Sequence, residues 1–144
     1  VDPKERNFNS YKNCTIFKPN LAEIKAGMNI DFNADNTNEI EEASGKLREL
    51  LNTSAVLLTL SSRGICINSK ENFTHTTVYE RNMIDVSGAG DTVISVAALC
   101  HSSRVGFAEL SKLSNLAGGL VCEDVGVVPI NKKKLLLEAK KNIF

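Results

Sequence analysis

The chain has 144 residues, with 17 lysines and arginines against 17 aspartates and glutamates, so its formal charge at neutral pH is zero. Hydrophobic residues make up 42% and charged residues 24%, which excludes a disordered chain. Zero net charge gives no basic footprint for a nucleic acid, and the longest apolar runs, 55–58 and 96–100, are far too short to span a bilayer.

The chain opens Val1-Asp2-Pro3-Lys4, with neither a basic n-region nor an apolar h-region, so a signal peptide is not expected. A start in mid-pattern leads us to expect a fragment. Residues 14–18 read as a short strand ending at Pro19. Asn20 opens a helix through about Ala26, with Gly27 placed to stop it. Residues 33–38 are polar and loop-like. Residues 39–52 carry Ile40, Ala43, Leu47, Leu50 and Leu51 at helical spacing, which predicts an amphipathic helix.

Residues 55–60 form an apolar run ending in Ser61-Ser62-Arg63-Gly64, read as a buried strand and a turn. Residues 65–68 and 74–79 read as two more strands, the second rich in β-branched side chains. Residues 84–91 read as a loop with two glycines. A helix apolar on nearly all sides is predicted over 92–101, and another from Gly106-Phe107 to about Glu123. Residues 125–129 are irregular or a short strand. A terminal helix covers 130–141, with 135–137 inward and the lysines 132–134 on a solvated face. Strands alternating with helices, then helices alone, predict an α/β sandwich with a largely parallel sheet.

The four cysteines, Cys14, Cys66, Cys100 and Cys122, form no CxxC pair, and His75 and His101 lie at no zinc-ligand spacing from them. They read as small buried hydrophobes of a reducing, cytoplasmic compartment.

The chemistry concentrates in Asp85-Val86-Ser87-Gly88-Ala89-Gly90-Asp91-Thr92. Gly88, Ala89 and Gly90 permit close approach of backbone to ligand, and their N–H groups precede a helix, where the dipole favours an anion. Asp91 is an acid beside that anion site, able to take a proton from an attacking hydroxyl. The competing reading is a glycine turn with Asp91 as a plain N-cap. A dinucleotide fold is set aside, because Gly88-Ala89-Gly90 lacks the third glycine of GxGxxG.

This segment resembles the D-x-x-G-A-G-D signature of the ribokinase-like (PfkB) family of sugar and nucleoside kinases. The resemblance implies a C-terminal portion of a three-layer α/β/α sandwich, with ATP and Mg²⁺ as cofactors and K⁺ as a further candidate. It implies that Asp91 is the catalytic base and that Gly88, Ala89 and Gly90 form the anion hole for the γ-phosphate. Asp85 would help hold a monovalent cation. Pro19-Asn20-Leu21-Ala22-Glu23 resembles the family's N-x-x-E motif, which implies phosphate contact by Asn20 and a water-mediated Mg²⁺ contact by Glu23. The same four residues also spell a capping box, and both roles can coexist. Thr59-Leu60-Ser61-Ser62-Arg63-Gly64 stands where the family has T-x-G-x-x-G, so Thr59, Ser61 and Gly64 are assigned to ATP. Ser61 departs from the family's glycine. Asn115, 24 residues after Asp91, falls where the family places an adenine contact, or is an ordinary polar helix residue.

Val1–Lys4, the serine-bearing turn and the string DVSGAGDTVI at 85–94 are similar to heptose-7-phosphate kinases. That resemblance implies phosphorylation of the anomeric hydroxyl of D-glycero-D-manno-heptose 7-phosphate to the 1,7-bisphosphate. Family members run to about twice this length, and the resemblance covers their C-terminal, nucleotide-binding half. It implies that the chain alone is inactive, since the sugar-binding half and lid are absent. Cutting a sheet near its middle exposes edges, which leads us to expect self-association. Another sugar or nucleoside acceptor, or a non-catalytic nucleotide-binding module, are the alternatives.

Overall fold

The computed structural model describes residues Val1–Phe144, which divide into two compact units, Val1–His75 and Thr76–Phe144. In the first unit a 3-10 segment, Glu5–Ser10, precedes strand β1 (Ile16–Phe17), helix α1 (Leu21–Met28), helix α2 (Thr37–Leu51) and strands β2 (Ala55–Thr59) and β3 (Ile65–Ser69). A fourth strand, β4 (Phe73–Thr76), carries the chain out of this unit.

The strands lie in the order β1-β2-β3-β4. β1 pairs in parallel with β2, matching Ile16 to Ala55 and Phe17 to Val56. β2 and β3 are antiparallel, in register from Ala55–Ser69 to Thr59–Ile65. The α/β class stands, but within this chain the sheet is mixed. The short turn through Ser61–Arg63 cannot carry a parallel crossover, so it folds β3 straight back on β2.

α1 begins where expected but does not stop at Gly27. It runs to Met28 and ends at Asn29, in the left-handed conformation (φ 51°). Gly27 serves packing instead: a Cβ there would stand 2.2 Å from Phe8 Cδ1, a clash with the ring. That ring meets Phe17 edge-on, with centroids 5.1 Å apart. α2 starts two residues before the expected Glu39, because Asn36 caps it by accepting the Asn38 N–H at 3.1 Å. It buries Ile40, Ala43, Leu47 and Leu51 and leaves Leu50 exposed, so the apolar stripe is narrower than the sequence suggested. Phe17, Ile24, Leu47 and Val56 share one core, each buried side chain worth roughly 1.5–3 kcal/mol.

The second unit holds α3 (Ala89–Ser102), α4 (Phe107–Val121) and α5 (Lys132–Asn142). α3 starts three residues before the expected Thr92, so Gly90 and Asp91 belong to its first turn. It is buried on one face only, through Val93, Val96 and Ala97. Gly118 of α4 admits Val93: a Cβ on it would stand 2.8 Å from Val93 Cγ2. α5 buries Ala139 against Leu116 and Leu120, with Leu135 partly covered. Leu136 and Leu137 face outward, so only part of the predicted inward face packs. All four cysteines are free, and burial pushes the Cys66 thiol up to about 12. No helix is long and apolar enough to cross a membrane.

Candidate active site

The loop before α3 is built on Asp85. Its Oδ1 accepts the Ser87 N–H at 2.9 Å and its Oδ2 accepts the Gly126 N–H at 2.9 Å. These bonds, Ser87's first, hold the carboxyl below its ordinary value. The backbone N–H groups of Ile84 and Asp85 both donate to the Cys122 carbonyl, at 2.8 and 3.2 Å. Ala89 N–H closes the turn on the Val86 carbonyl at 3.2 Å.

Gly88 is the N-cap of α3, with φ +78°, a conformation that L residues with a Cβ rarely adopt. A Cβ there would also stand 2.9 Å from Val127 Cγ1. The N-cap reading of Asp91 is thereby corrected: Asp91 is the third helical residue. No side chain caps this helix, and the N–H groups of Gly90 and Asp91 have no intrahelical acceptor. Asp91 is exposed beside them, and its carbonyl accepts the Ser95 hydroxyl at 2.7 Å. A helix end that favours anions therefore stands next to a solvent-accessible carboxylate. In the same unit Asn115 is buried on α4, where its Nδ2 donates to the Thr77 carbonyl at 2.8 Å.

In the first unit, Asn20 and Glu23 form a complete capping box. Asn20 Oδ1 accepts the Glu23 N–H at 2.9 Å, and Glu23 Oε2 accepts the Asn20 N–H at 2.8 Å. Glu23 thus commits one oxygen to the backbone, and the other suits a hydrated cation. Asn20 also forms a parallel bridge with Thr59, whose N–H donates to the Pro19 carbonyl at 3.1 Å. So the N-x-x-E motif and the end of β2 meet.

After Thr59 the turn is closed by Leu60 N–H on the Gly64 carbonyl at 2.8 Å and Gly64 N–H on the Ser61 carbonyl at 3.0 Å. Ser61 is left-handed (φ 55°), which explains why a glycine suits this position. Gly64, at φ 89° and ψ −141°, occupies a region open essentially to glycine alone.

Sequence reasoning missed the supports of this turn. Arg63 Nε donates to Asp35 Oδ1 at 2.5 Å and Nη2 to Asp35 Oδ2 at 3.3 Å. The Arg63 guanidinium holds the Asp35 carboxyl below its ordinary value. His75 Nε2 meets the Arg63 carbonyl at 2.8 Å. No local pattern links positions 35, 63 and 75.

An α/β chain with an anion-receptive helix end, an acid beside it and a glycine-closed turn after a strand defines a narrow class. The chain matches the pattern described as pfkB family carbohydrate kinase over residues 3–134. It belongs to that family.

It is 33% identical over 136 residues to the bifunctional protein HldE of Koribacter versatilis, covering 94% of this chain and 28% of that protein. With the HldE of Campylobacter curvus the identity is 31% over 144 residues, covering 99% and 30%. The fold matches Escherichia coli phosphofructokinase-2 in complex with substrates and products, with a TM-score of 0.87 at 17% identity, covering 95% of this chain and 45% of that one. It also matches the ribokinase of Arabidopsis thaliana complexed with ribose and ATP, with a TM-score of 0.75 at 20% identity, covering 96% and 43%. The fold is ribokinase-like, and the chain spans less than half the length of these relatives.

Proposed function

We propose that this chain is the C-terminal, nucleotide-binding half of an ATP-dependent sugar kinase. The position of Asp91 in the first turn of α3, beside free helix-end N–H groups, carries this reading. Asp91 takes the proton of the acceptor hydroxyl as that oxygen attacks the γ-phosphorus. The bond from the γ-phosphorus to the β–γ bridging oxygen breaks, and ADP leaves. The N–H groups of Gly90 and Asp91 stabilise the charge on the transferring phosphoryl, and Gly88 shapes the turn that presents them. Ala89 N–H already serves Val86, so the anion hole is shifted one residue along from a plain Gly-Ala-Gly cradle.

Asn20, Thr59, Ser61 and Gly64 are assigned to ATP, and Asn115 to its adenine. Glu23 holds Mg²⁺ through water, and when bound the metal neutralises phosphate charge. Both oxygens of Asp85 already accept N–H bonds, and their remaining lone pairs suit K⁺.

The acceptor we propose is D-glycero-D-manno-heptose 7-phosphate, phosphorylated at its anomeric hydroxyl. The HldE relatives and the serine-bearing turn support it. The chain alone is inactive or nearly so, because effective transfer needs both reactants held in line. It works in the cytoplasm and self-associates when isolated.

The test has two arms. Calorimetry on this chain should show MgATP uptake, and none would sink the nucleotide assignment. Assays of the full-length protein on heptose 7-phosphate, fructose 6-phosphate and ribose should favour the heptose. Preference for another sugar would overturn the acceptor and leave the kinase class standing.

A further inference from the structure

The loop that carries Asp85 and Gly88 is held from behind by Arg81, which no motif singles out. Its side chain is 8% exposed. Nη1 donates to Glu123 Oε1 at 2.7 Å and Nη2 to Glu138 Oε2 at 3.0 Å. Glu123 follows the end of α4, and Glu138 lies on α5. Lys134, also on α5, bonds the other oxygen of Glu123. One guanidinium therefore joins the approach to the loop, the end of α4 and α5.

Its seat is shaped for it. A Cβ on Gly119 would stand 3.3 Å from Arg81 Cδ. The Tyr79 ring centroid lies 6.0 Å from Arg81 Cζ. Burial works against the charge, but the two carboxylates outweigh it and push the guanidinium further up.

The same two stretches are tied by backbone. Ile84 and Asp85 hang on the Cys122 carbonyl, next to Glu123, and Asp85 accepts from Gly126. Removing Arg81 would leave Glu123 and Glu138 without the cation between them, a costly state for partly buried carboxylates. The strain would fall on the neighbouring bonds at 84 and 85.

We propose that Arg81 is a positioning residue. Through Glu123 and Glu138 it fixes the base of the Asp85–Gly88 loop, and so sets where the first turn of α3 presents its N–H groups. The geometric claim is independent of ligand; its catalytic meaning rests on the kinase reading above.

The test is amide hydrogen exchange by NMR on the ligand-free chain. Arg81→Met should speed exchange at Ser87, Ala89 and Gly126 about tenfold or more, while Leu116 and Ala117 in α4 keep their rates. Glu138→Gln, which leaves the Arg81–Glu123 pair in place, should give a smaller increase at the same amides. Arg81→Lys, able to reach one carboxylate, should partly restore protection. Unchanged exchange at Ser87 and Ala89 in either Arg81→Met or Glu138→Gln would overturn the assignment. So would an equal rise across all of α4. If Arg81→Met does not fold, Glu138→Gln and Arg81→Lys decide alone. Titration of the same proteins with MgATP separates the two readings: a wild-type chain that takes up none sinks the nucleotide assignment, while the exchange rates still decide the role of Arg81.

Discussion

The Gly126 N–H and the Ser87 N–H each donate to one oxygen of Asp85, both at 2.9 Å, so a single carboxylate pins two backbone segments. Its folded value lies below the ordinary 3.8. The stabilisation it gives is therefore present above the unfolded value and is lost as pH falls through the lower, folded one. The Ser87 and Gly126 amide resonances should move together in acid titration, at a pH below 3.8. Asp85→Asn should abolish that joint transition. Independent movement of the two amides would disprove the shared anchor.

Asp91→Asn tests the base. In the full-length kinase, turnover should fall by about a hundred- to ten-thousand-fold. Nucleotide affinity should change little, because the helix-end N–H groups remain. Turnover that survives the substitution rules Asp91 out.

Asn20 and Glu23 separate structure from metal binding. Asn20→Ala breaks the capping box and should cost about 1 kcal/mol in urea unfolding. Glu23→Gln keeps the box, since glutamine can accept the same N–H, and should leave stability near wild type. The same change should weaken nucleotide binding in the presence of Mg²⁺ but not in its absence. Equal weakening in both conditions would remove Glu23 from the metal.

Gly88→Ala meets two obstacles, the positive φ and the Val127 side chain. The backbone part alone should cost about 1–2 kcal/mol. Adding Val127→Ala should relieve the contact and leave the backbone cost. Urea unfolding of the single and double variants measures both parts. A Gly88→Ala protein as stable as wild type would contradict the left-handed cap.

Much of this was legible in the sequence because the signals are local. The spacing of Ile40, Ala43 and Leu47 marks α2, and Asn20 with Glu23 marks the start of α1. The family motif was readable for the same reason: seven contiguous residues carry it. The start of α3 was not, because Gly-Ala-Gly reads as loop and only the cap geometry shows that Gly88 ends the loop. The contacts of Arg63 with Asp35 and His75 were not legible, because these residues meet only after α2 and the β2–β3 hairpin have formed. Leu136 and Leu137 were placed inward by hydrophobicity alone, and α5 packs chiefly through Ala139 and Leu135.

Gly27 looks from sequence like a helix terminator, yet it sits inside α1 where the Phe8 ring takes the place of a side chain. Positions 8 and 27 therefore share one fixed volume. An alanine at 27 becomes tolerable only when residue 8 shrinks, and a smaller residue 8 gives up the edge-on contact with Phe17. Evolution at either site is thus yoked to the other, and drift there should proceed by compensated pairs rather than single steps.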